Sequence, residues 1–184
     1  RCDSESHSYA FYFDEALLQD WEWSERYPGQ AEIMRYLNHV ADRFDLRRSY
    51  RFGTVVVSAA FDPQTDLWTV VTDQGDAVQA RYCIMATGCL SMPKDPEVDG
   101  ADSFAGPIHH TGRWPHEGVD FTGKRVAVIG NGASALQFIP EIAKTAQRVT
   151  VFQRSANWVI PRNDRRFSEA DKARLTAEYR DIVE

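Results

Sequence analysis

A short glycine-rich loop, Gly130-Asn-Gly-Ala-Ser-Ala135, has the residue types and spacing for binding a dinucleotide. An apolar run at residues 124–129 precedes it and a helix-like stretch follows, which is the order that a dinucleotide-binding fingerprint requires. Gly130 allows the tight turn, Gly132 lets the backbone approach a pyrophosphate, and Ala135 takes the place of a third glycine, keeping the helix close to the sheet. The pyrophosphate would lie at the helix N-terminus, where free N–H groups and the helix dipole favour an anion.

The residues after the next strand indicate which nucleotide such a loop would bind. Gln153-Arg-Ser155 stands there, about 20 residues beyond the loop. An Asp or Glu at this place would accept a hydrogen bond from the ribose 2′-hydroxyl of NAD and would repel a 2′-phosphate. Arg154 instead offers planar, forked donors to phosphate oxygens, and Ser155 adds a hydroxyl beside it. The sequence therefore predicts NADPH; the alternative for Arg154 is a solvated surface charge.

The pattern of apolar residues predicts the elements that position this loop. Residues 124–129 and 148–152 predict two buried strands with a helix at 133–146 between them, so a βαβ unit and a parallel sheet are expected. Upstream, residues 54–57, 67–72 and 77–85 predict strands, with a hairpin turn at Asp73-Gln-Gly-Asp76. Residues 13–44 predict mainly helix, and the charged residues from Asp164 onward predict the start of a helical region.

Composition limits the classes of function. The chain has 184 residues, 43% of them hydrophobic, which is enough for one sizeable core. Its formal net charge of −6 argues against a nucleic acid or an anionic membrane as partner. No run reaches the roughly 18 apolar residues of a spanning helix. The three cysteines match neither a metal-binding spacing nor a Cys-x-x-Cys pair; they are Cys2, Cys83 and Cys89. We therefore expect no metal, and we expect reduced thiols in a cytoplasmic protein. No feature of the sequence indicates an oligomeric state.

A second motif precedes the glycine loop, in residues 104–115. The string has the form Phe-x-Gly-x-x-x-His-x-x-x-Trp-Pro, and it resembles the fingerprint of Baeyer–Villiger monooxygenases. Its defined positions are filled by Phe104, Gly106, His110, Trp114 and Pro115. Within that resemblance, His110 and Trp114 would couple this segment to cofactor movement rather than act as acids or bases. The alternative for His110 is a hydrogen-bonded structural residue in a loop bracketed by Gly and Pro.

Nearly the whole chain resembles this family, near its phenylacetone and cyclohexanone monooxygenases. Further matches are Arg1-Cys-Asp3, Trp21-x-Trp-x-Glu-Arg-Tyr27 and Ala86-Thr-Gly88. The resemblance implies an α/β fold with two dinucleotide-binding, Rossmann-like domains, one for FAD and one for NADP, both incomplete here. Residues 1–92 would be the middle of the FAD domain, 93–118 a linker with the fingerprint, 119–163 the start of the NADP domain, and 164–184 the start of a helical insertion. Because the sequence lacks an initiator methionine and a closing helix stop, we expect an internal fragment of a longer protein.

The resemblance also implies the roles of individual residues. Asp3 would lie beside the flavin ring and orient a catalytic arginine located beyond this chain; its alternative is a turn-capping aspartate. Tyr9, Val56 and Cys89 would contact the flavin nucleotide. The implied NADPH contacts are Gly130, Asn131, Gly132, Ala133, Ser134, Ala135, Gln137, Arg154 and Ser155.

The function implied is that of an FAD-dependent, NADPH-consuming monooxygenase. Such an enzyme inserts one oxygen atom of O₂ next to a ketone carbonyl and yields an ester or lactone. One alternative is a flavin-containing monooxygenase that oxidises nitrogen or sulfur, which usually lacks the Trp114-Pro115 ending of the motif. Another is that the isolated chain is a non-catalytic NADP-binding module, and we expect no catalysis from the chain alone.

Overall fold

The structure, a computed structural model, describes residues 4–178, which divide into two compact units. The first unit contains residues 4–52 and 158–178, and the second contains residues 53–157. The domain limits expected from the sequence, 1–92, 93–118, 119–163 and 164–184, stay a prediction.

Two helices near the beginning of the chain build most of the first unit. Helix α1 spans Glu15–Gln19 and α2 spans Gln30–Arg43, so the predicted helical stretch is interrupted at residues 20–29. The Asp14 carboxylate accepts the Leu17 N–H at 2.7 Å and caps α1. Gly29 occupies the N-cap of α2, directly after Pro28. Pro28 and Gly29 therefore form the end of the interruption, directly before α2.

An aromatic cluster around Tyr36 forms the core of this unit. Tyr36 is 1% exposed, and the rings of Trp21 and Trp23 lie 5.3 Å and 5.1 Å from its ring centre. The Tyr36 hydroxyl accepts the Phe11 N–H at 2.8 Å. Burial raises the pKa of Tyr36, because the phenolate would lose its hydration.

The later part of the chain returns to this unit as an extended segment. The Arg26 N–H donates to the Arg165 carbonyl at 3.0 Å, and the Phe167 N–H donates to the Ser24 carbonyl at 2.9 Å. The Phe167 side chain packs against the aromatic cluster. Residues 164–167 are thus fixed by both backbone pairing and apolar contact.

Helix α4, Glu169–Ala177, follows this segment and begins with a capping box. The Ser168 hydroxyl accepts the Asp171 N–H, while the Asp171 carboxylate accepts the Ser168 N–H at 2.9 Å. Hydrogen bonds from Arg165, and then from Ser168, hold the pKa of Asp171 well below its usual range. The predicted helical region after Asp164 therefore starts at Glu169.

An antiparallel three-stranded sheet opens the second unit. Its strands are β1 Val56–Asp62, β2 Leu67–Thr72 and β3 Ala77–Ala80, in the order β1-β2-β3. Gly75 has a φ of 84° in the predicted turn between β2 and β3. β3 ends earlier than the sequence suggests, because Trp68 already pairs with Ala80 and β2 begins one residue before Trp68. A longer β3 would have no partner strand.

A βαβ unit holds the glycine loop. Strand β4 spans Arg125–Ile129, α3 spans Ala133–Ile142 and β5 spans Arg148–Phe152, with β4 and β5 parallel as predicted. Val128, Ala135 and Ile142 form its buried core. α3 ends at Ile142 rather than at residue 146, and Pro140, which has no backbone N–H, lies inside the helix two residues before that end. The predicted α/β class is confirmed.

Candidate functional site

The glycine loop turns sharply at the end of β4 and leaves open space in front of it. Gly130 has a φ of 98°, in the left-handed region, and its N–H donates to the Phe152 carbonyl at 2.8 Å. A Cβ atom added to Gly130 or to Gly132 would meet nothing within 4 Å. No side chain caps the start of α3, and its first turn holds no acidic residue. The first N–H groups of the helix are thus free for an anion, as a pyrophosphate would require.

The residues after the loop divide between the core and the surface. Ala135 is 6% exposed and packs in the core of the βαβ unit, as expected for the residue that holds the helix close to the sheet. Ala133 and Ser134 are exposed, and so is Gln137 one turn further on. The side chains of Ser134 and Gln137 face a cleft. They are therefore accessible to a bound molecule.

Hydrogen bonds tie the loop to the segment after β5. The Asn131 Nδ2 group donates to Oε1 of Gln153 at 2.8 Å and to the Ser155 carbonyl at 3.0 Å. Asn157 Nδ2 in turn donates to the Asn131 carbonyl at 2.5 Å. Because β4 and β5 are parallel neighbours, their ends lie side by side and these bonds can form. Arg154 lies between two of the residues so held, and its side chain is exposed.

Within residues 4–178, the Arg154 guanidinium has no carboxylate partner. Arg154 lies two residues after the end of β5, between two residues that are bonded to the glycine loop, and its exposed donors are available to an outside anion. The structure thus brings together Gly130, Asn131, Gly132, Arg154 and Ser155, which the sequence assigned to one nucleotide site. Gln153 and Asn157 complete the arrangement. From the sequence, Gln153 was named only as the neighbour of Arg154, and Asn157 was not singled out; their amide side chains within three residues of Arg154 were the available signal.

The first half of the fingerprint motif is held by close packing. A Cβ atom added to Gly106 would lie 2.6 Å from Cε1 and 2.9 Å from Cζ of the Phe104 ring. A side chain at residue 106 would therefore require the Phe104 ring to shift. Phe104 itself is 61% exposed.

His110 has a structural role in the same segment. Its Nδ1 accepts the Gly112 N–H at 3.0 Å and caps the short 3₁₀ helix Thr111–Arg113. Gly112 also lies close to Pro93, since a Cβ atom there would come within 3.0 Å of the Pro93 Cβ. These contacts agree with the hydrogen-bonded alternative for His110. Pro115 follows, and its carbonyl accepts the Gly118 N–H at 3.0 Å.

Trp114 packs the fingerprint motif against α3. Its ring centre lies 6.2 Å from that of Phe138 and 6.0 Å from that of Phe121. A cleft of about 270 Å³ lies beside it, lined by Thr111, Trp114, Ser134, Gln137 and Phe138. The sequence assigned Trp114, Ser134 and Gln137 to function but missed Thr111 and Phe138. Phe138 stands one helical turn after Ser134, which was the only sequence signal that could have placed it at this face.

The residues implied as flavin contacts are spread over both units. Asp3 lies outside the described residues. Tyr9 belongs to the first unit and packs against its aromatic cluster. Val56 and Cys89 belong to the second unit and are exposed, Val56 at the start of β1 and Cys89 just after Gly88. Their contacts with a flavin stay a prediction.

In the described range, no three His, Cys, Asp or Glu side chains gather in a way that could hold a metal ion. Among the helices there, none is long and apolar enough to cross a membrane.

Comparison with known proteins decides the family. A family model described as pyridine nucleotide-disulphide oxidoreductase matches residues 5–183. The chain belongs to the pyridine nucleotide-disulphide oxidoreductase family. The three cysteines of the chain, Cys2, Cys83 and Cys89, include no Cys-x-x-Cys pair.

Proteins that are similar to this chain include monooxygenases. A Baeyer–Villiger monooxygenase from Pseudooceanicola batsensis is 45% identical over 98% of this chain and 33% of its own length. A phenazine N-monooxygenase from Lysobacter antibioticus is 41% identical over all of this chain and 33% of its own length. A crystal structure of an OTEMO complex with FAD and NADP is 41% identical, with a TM-score of 0.89, and covers all of this chain and 36% of that one.

These relatives confirm the resemblance to Baeyer–Villiger monooxygenases and the fold class with FAD and NADP domains. The chain spans about a third of the length of the curated relatives that it matches.

Proposed function

We propose that the whole protein carrying this chain is an FAD-dependent, NADPH-consuming monooxygenase. It inserts one oxygen atom of O₂ next to the carbonyl of a small-molecule ketone and releases an ester or lactone. The similarity to a Baeyer–Villiger monooxygenase supports this proposal. So does the similarity to OTEMO, whose crystal structure is a complex with FAD and NADP. Cys83 and Cys89 are free thiols, which suits the reducing cytoplasm, where we propose that the protein acts.

One observation supports the NADPH part most directly: the open glycine loop is tied to the segment that carries Arg154. The free N–H groups at the start of α3 would bind the pyrophosphate, because the helix dipole and the missing cap leave them available. The Arg154 guanidinium would bind the 2′-phosphate with charge-assisted hydrogen bonds. The Ser155 hydroxyl would add a further donor there.

Other residues of the chain would orient the cofactors. The flavin and the nicotinamide supply the redox chemistry when they are bound. Ser134 and Gln137 would hold the nucleotide beside the cleft that Trp114 lines. Asp3, Tyr9, Val56 and Cys89 are proposed as flavin contacts. Asp3 is also proposed as the residue that orients a catalytic arginine located elsewhere in the protein.

The test of the NADPH site compares two arginines of the same strand region. Arg154→Ala is expected to weaken NADP⁺ binding by about 10- to 100-fold, the value of a charge-assisted hydrogen bond. NAD⁺ binding should change by less than about threefold, because NAD⁺ lacks the 2′-phosphate. Arg148→Ala is the matched control, since Arg148 starts β5 at the opposite end of the strand. The assignment would be contradicted if the wild type bound NADP⁺ and NAD⁺ with equal affinity. It would also be contradicted if Arg154→Ala kept the same ratio of the two affinities as the wild type.

The reaction is tested by product analysis with the intact protein under ¹⁸O₂. A cyclic ketone should give a lactone that carries one ¹⁸O atom, and the reaction should consume one NADPH for each lactone formed. The isolated 184-residue chain, mixed with FAD, NADPH and the same ketone, should give no lactone. Lactone formed by the isolated chain would contradict its proposed status as a non-catalytic NADP-binding module.

A second candidate function is oxidation at nitrogen or sulfur. The phenazine N-monooxygenase favours it, because its identity to this chain is close to that of the Baeyer–Villiger relative. Offering a thioether and an aromatic N-heterocycle beside the ketone distinguishes the two functions. If N-oxide or sulfoxide forms and no ester or lactone does, oxidation at nitrogen or sulfur becomes the proposed function.

A further inference from the structure

We infer that Asn131 is a positioning residue that selects NADPH by holding the residues on both sides of Arg154, through the Gln153 side chain and the Ser155 backbone. The inference rests on the proposed NADPH site and adds to it a residue that acts through Arg154. The sequence assigned Asn131 to contact with the nucleotide. Both Nδ2 hydrogens of Asn131 are already donated within the protein, to Gln153 and to the Ser155 carbonyl.

The segment after β5 depends on Asn131 for its position. The ladder of β5 ends at Phe152, and residues 153–157 are exposed and have no regular structure. In the described part of the chain, the only hydrogen bonds that reach Gln153, Arg154 or Ser155 are the two from Asn131. Without them, only the bond from Asn157 to the Asn131 carbonyl would join this segment to the glycine loop, and the backbone that carries Arg154 would be less constrained.

The loop end of this connection is also fixed. Asn157 Nδ2 donates to the Asn131 carbonyl at 2.5 Å, and the Gly130 N–H donates to the Phe152 carbonyl at 2.8 Å. The backbone of Asn131 is therefore held from both sides. Its amide side chain can transmit the position of the glycine loop to Arg154.

This connection matters because two phosphate groups must be bound at once. The pyrophosphate is set by the backbone of the glycine loop, whereas the 2′-phosphate is set by the Arg154 fork. One nucleotide can contact the glycine loop and the Arg154 fork together only if the distance between the loop and Arg154 is fixed. A looser Arg154 would lose part of its 2′-phosphate contact but would leave pyrophosphate binding in place. Discrimination between NADPH and NADH should then fall.

The test separates the two phosphates with fragments of the cofactor. The intact protein is titrated with 2′,5′-ADP, which carries the 2′-phosphate, and with 5′-AMP, which lacks it. Asn131→Ala is expected to weaken 2′,5′-ADP binding by about five- to tenfold, the equivalent of about one hydrogen bond. Binding of 5′-AMP should change by less than about twofold. In an Arg154→Ala background, Asn131→Ala should cause no further loss for 2′,5′-ADP.

Two other variants keep the result interpretable. Asn38→Ala removes an exposed amide of α2 that donates to the Met34 carbonyl, and it should leave both titrations unchanged. Gln153→Ala removes one of the two acceptors without altering the glycine loop, and it should weaken 2′,5′-ADP binding by about threefold. This variant gives the answer if Asn131→Ala does not fold.

The possible outcomes distinguish the inference from the function on which it rests. If wild type does not prefer 2′,5′-ADP to 5′-AMP, the NADPH site itself is wrong, and the inference falls with it. If wild type prefers 2′,5′-ADP, but Asn131→Ala weakens both fragments equally or still weakens 2′,5′-ADP binding without Arg154, the positioning role alone is overturned.

Discussion

Removal of the Trp114 ring tests whether the fingerprint motif is fastened to the βαβ unit. Trp114 is 36% exposed, and its ring lies 6.0 Å from Phe121 and 6.2 Å from Phe138 between ring centres. A buried aromatic side chain hides roughly 150–250 Å². With about two thirds of that area covered, at about 25 cal/mol per Å², the ring contributes about 3 kcal/mol.

Trp114→Ala should therefore lower the free energy of unfolding by about 2–3 kcal/mol, because alanine keeps only the Cβ atom. Trp114→Phe retains an aromatic ring against Phe138 and should lose about 1 kcal/mol or less. Equilibrium unfolding in urea measures both values, with the slope m compared to ensure that the unfolded state is unchanged.

Trp158→Ala is the matched control, since Trp158 is 100% exposed and should contribute less than about 0.5 kcal/mol. The reasoning would be refuted by a loss below about 0.5 kcal/mol for Trp114→Ala, or by equal losses for the two tryptophans. Either result would mean that the ring contacts around Trp114 do not hold the motif.

Three further predictions concern the fingerprint and the start of α4. Gly106→Ala should cost about 1 kcal/mol through overlap with the Phe104 ring, and in a Phe104→Ala background the cost should vanish in the same unfolding assay. Ser168→Ala should destabilise α4 by about 1 kcal/mol, measured as faster amide hydrogen exchange in that helix; unchanged exchange would contradict the cap. Arg165 lowers the pKa of Asp171 in the folded protein. The ionised carboxylate therefore stabilises the folded state at pH values above about 3.8, the ordinary pKa of aspartate, and this stabilisation is lost as the pH falls below that value. The stability difference between wild type and Asp171→Asn should accordingly shrink below that pH, and a difference that is constant with pH would contradict the pairing.

The parts of the fold set by local pattern were predictable from the sequence. Strands β2 and β5 have the predicted bounds, and Gly75 takes the positive φ expected in the hairpin turn. The parallel pairing of β4 and β5 followed from the strand–loop–helix–strand order alone. In each case the residue types leave few backbone conformations open.

Element ends that depend on distant partners were not predictable. β3 stops at Ala80 because β2 offers no further partner, although the residues after it favour a strand. Residues 20–29 leave the helix although they lie within a helix-like pattern, and there Trp21 and Trp23 pack against Tyr36. Packing outweighs local preference at these places.

The candidate site divides in the same way. The sharp turn at Gly130 could be predicted because its φ of 98° lies in a region that favours glycine, whereas the approach of a pyrophosphate to Gly132 stays a prediction. The bonds from Asn131 to Gln153 and Ser155 could not be predicted, because they require the side-by-side ends of two strands that are far apart in the sequence.

The first unit is assembled from two stretches of chain, residues 4–52 and 158–178, with the second unit between them. During synthesis, the second unit is therefore complete before Phe167 has emerged to pack on the aromatic cluster. If residues 53–157 were still unfolded, bringing the two stretches together would cost the entropy of closing a long flexible loop. Early folding of the βαβ unit shortens that loop to a compact insertion. The first unit can therefore be completed only after the whole of residues 53–157 has been synthesised.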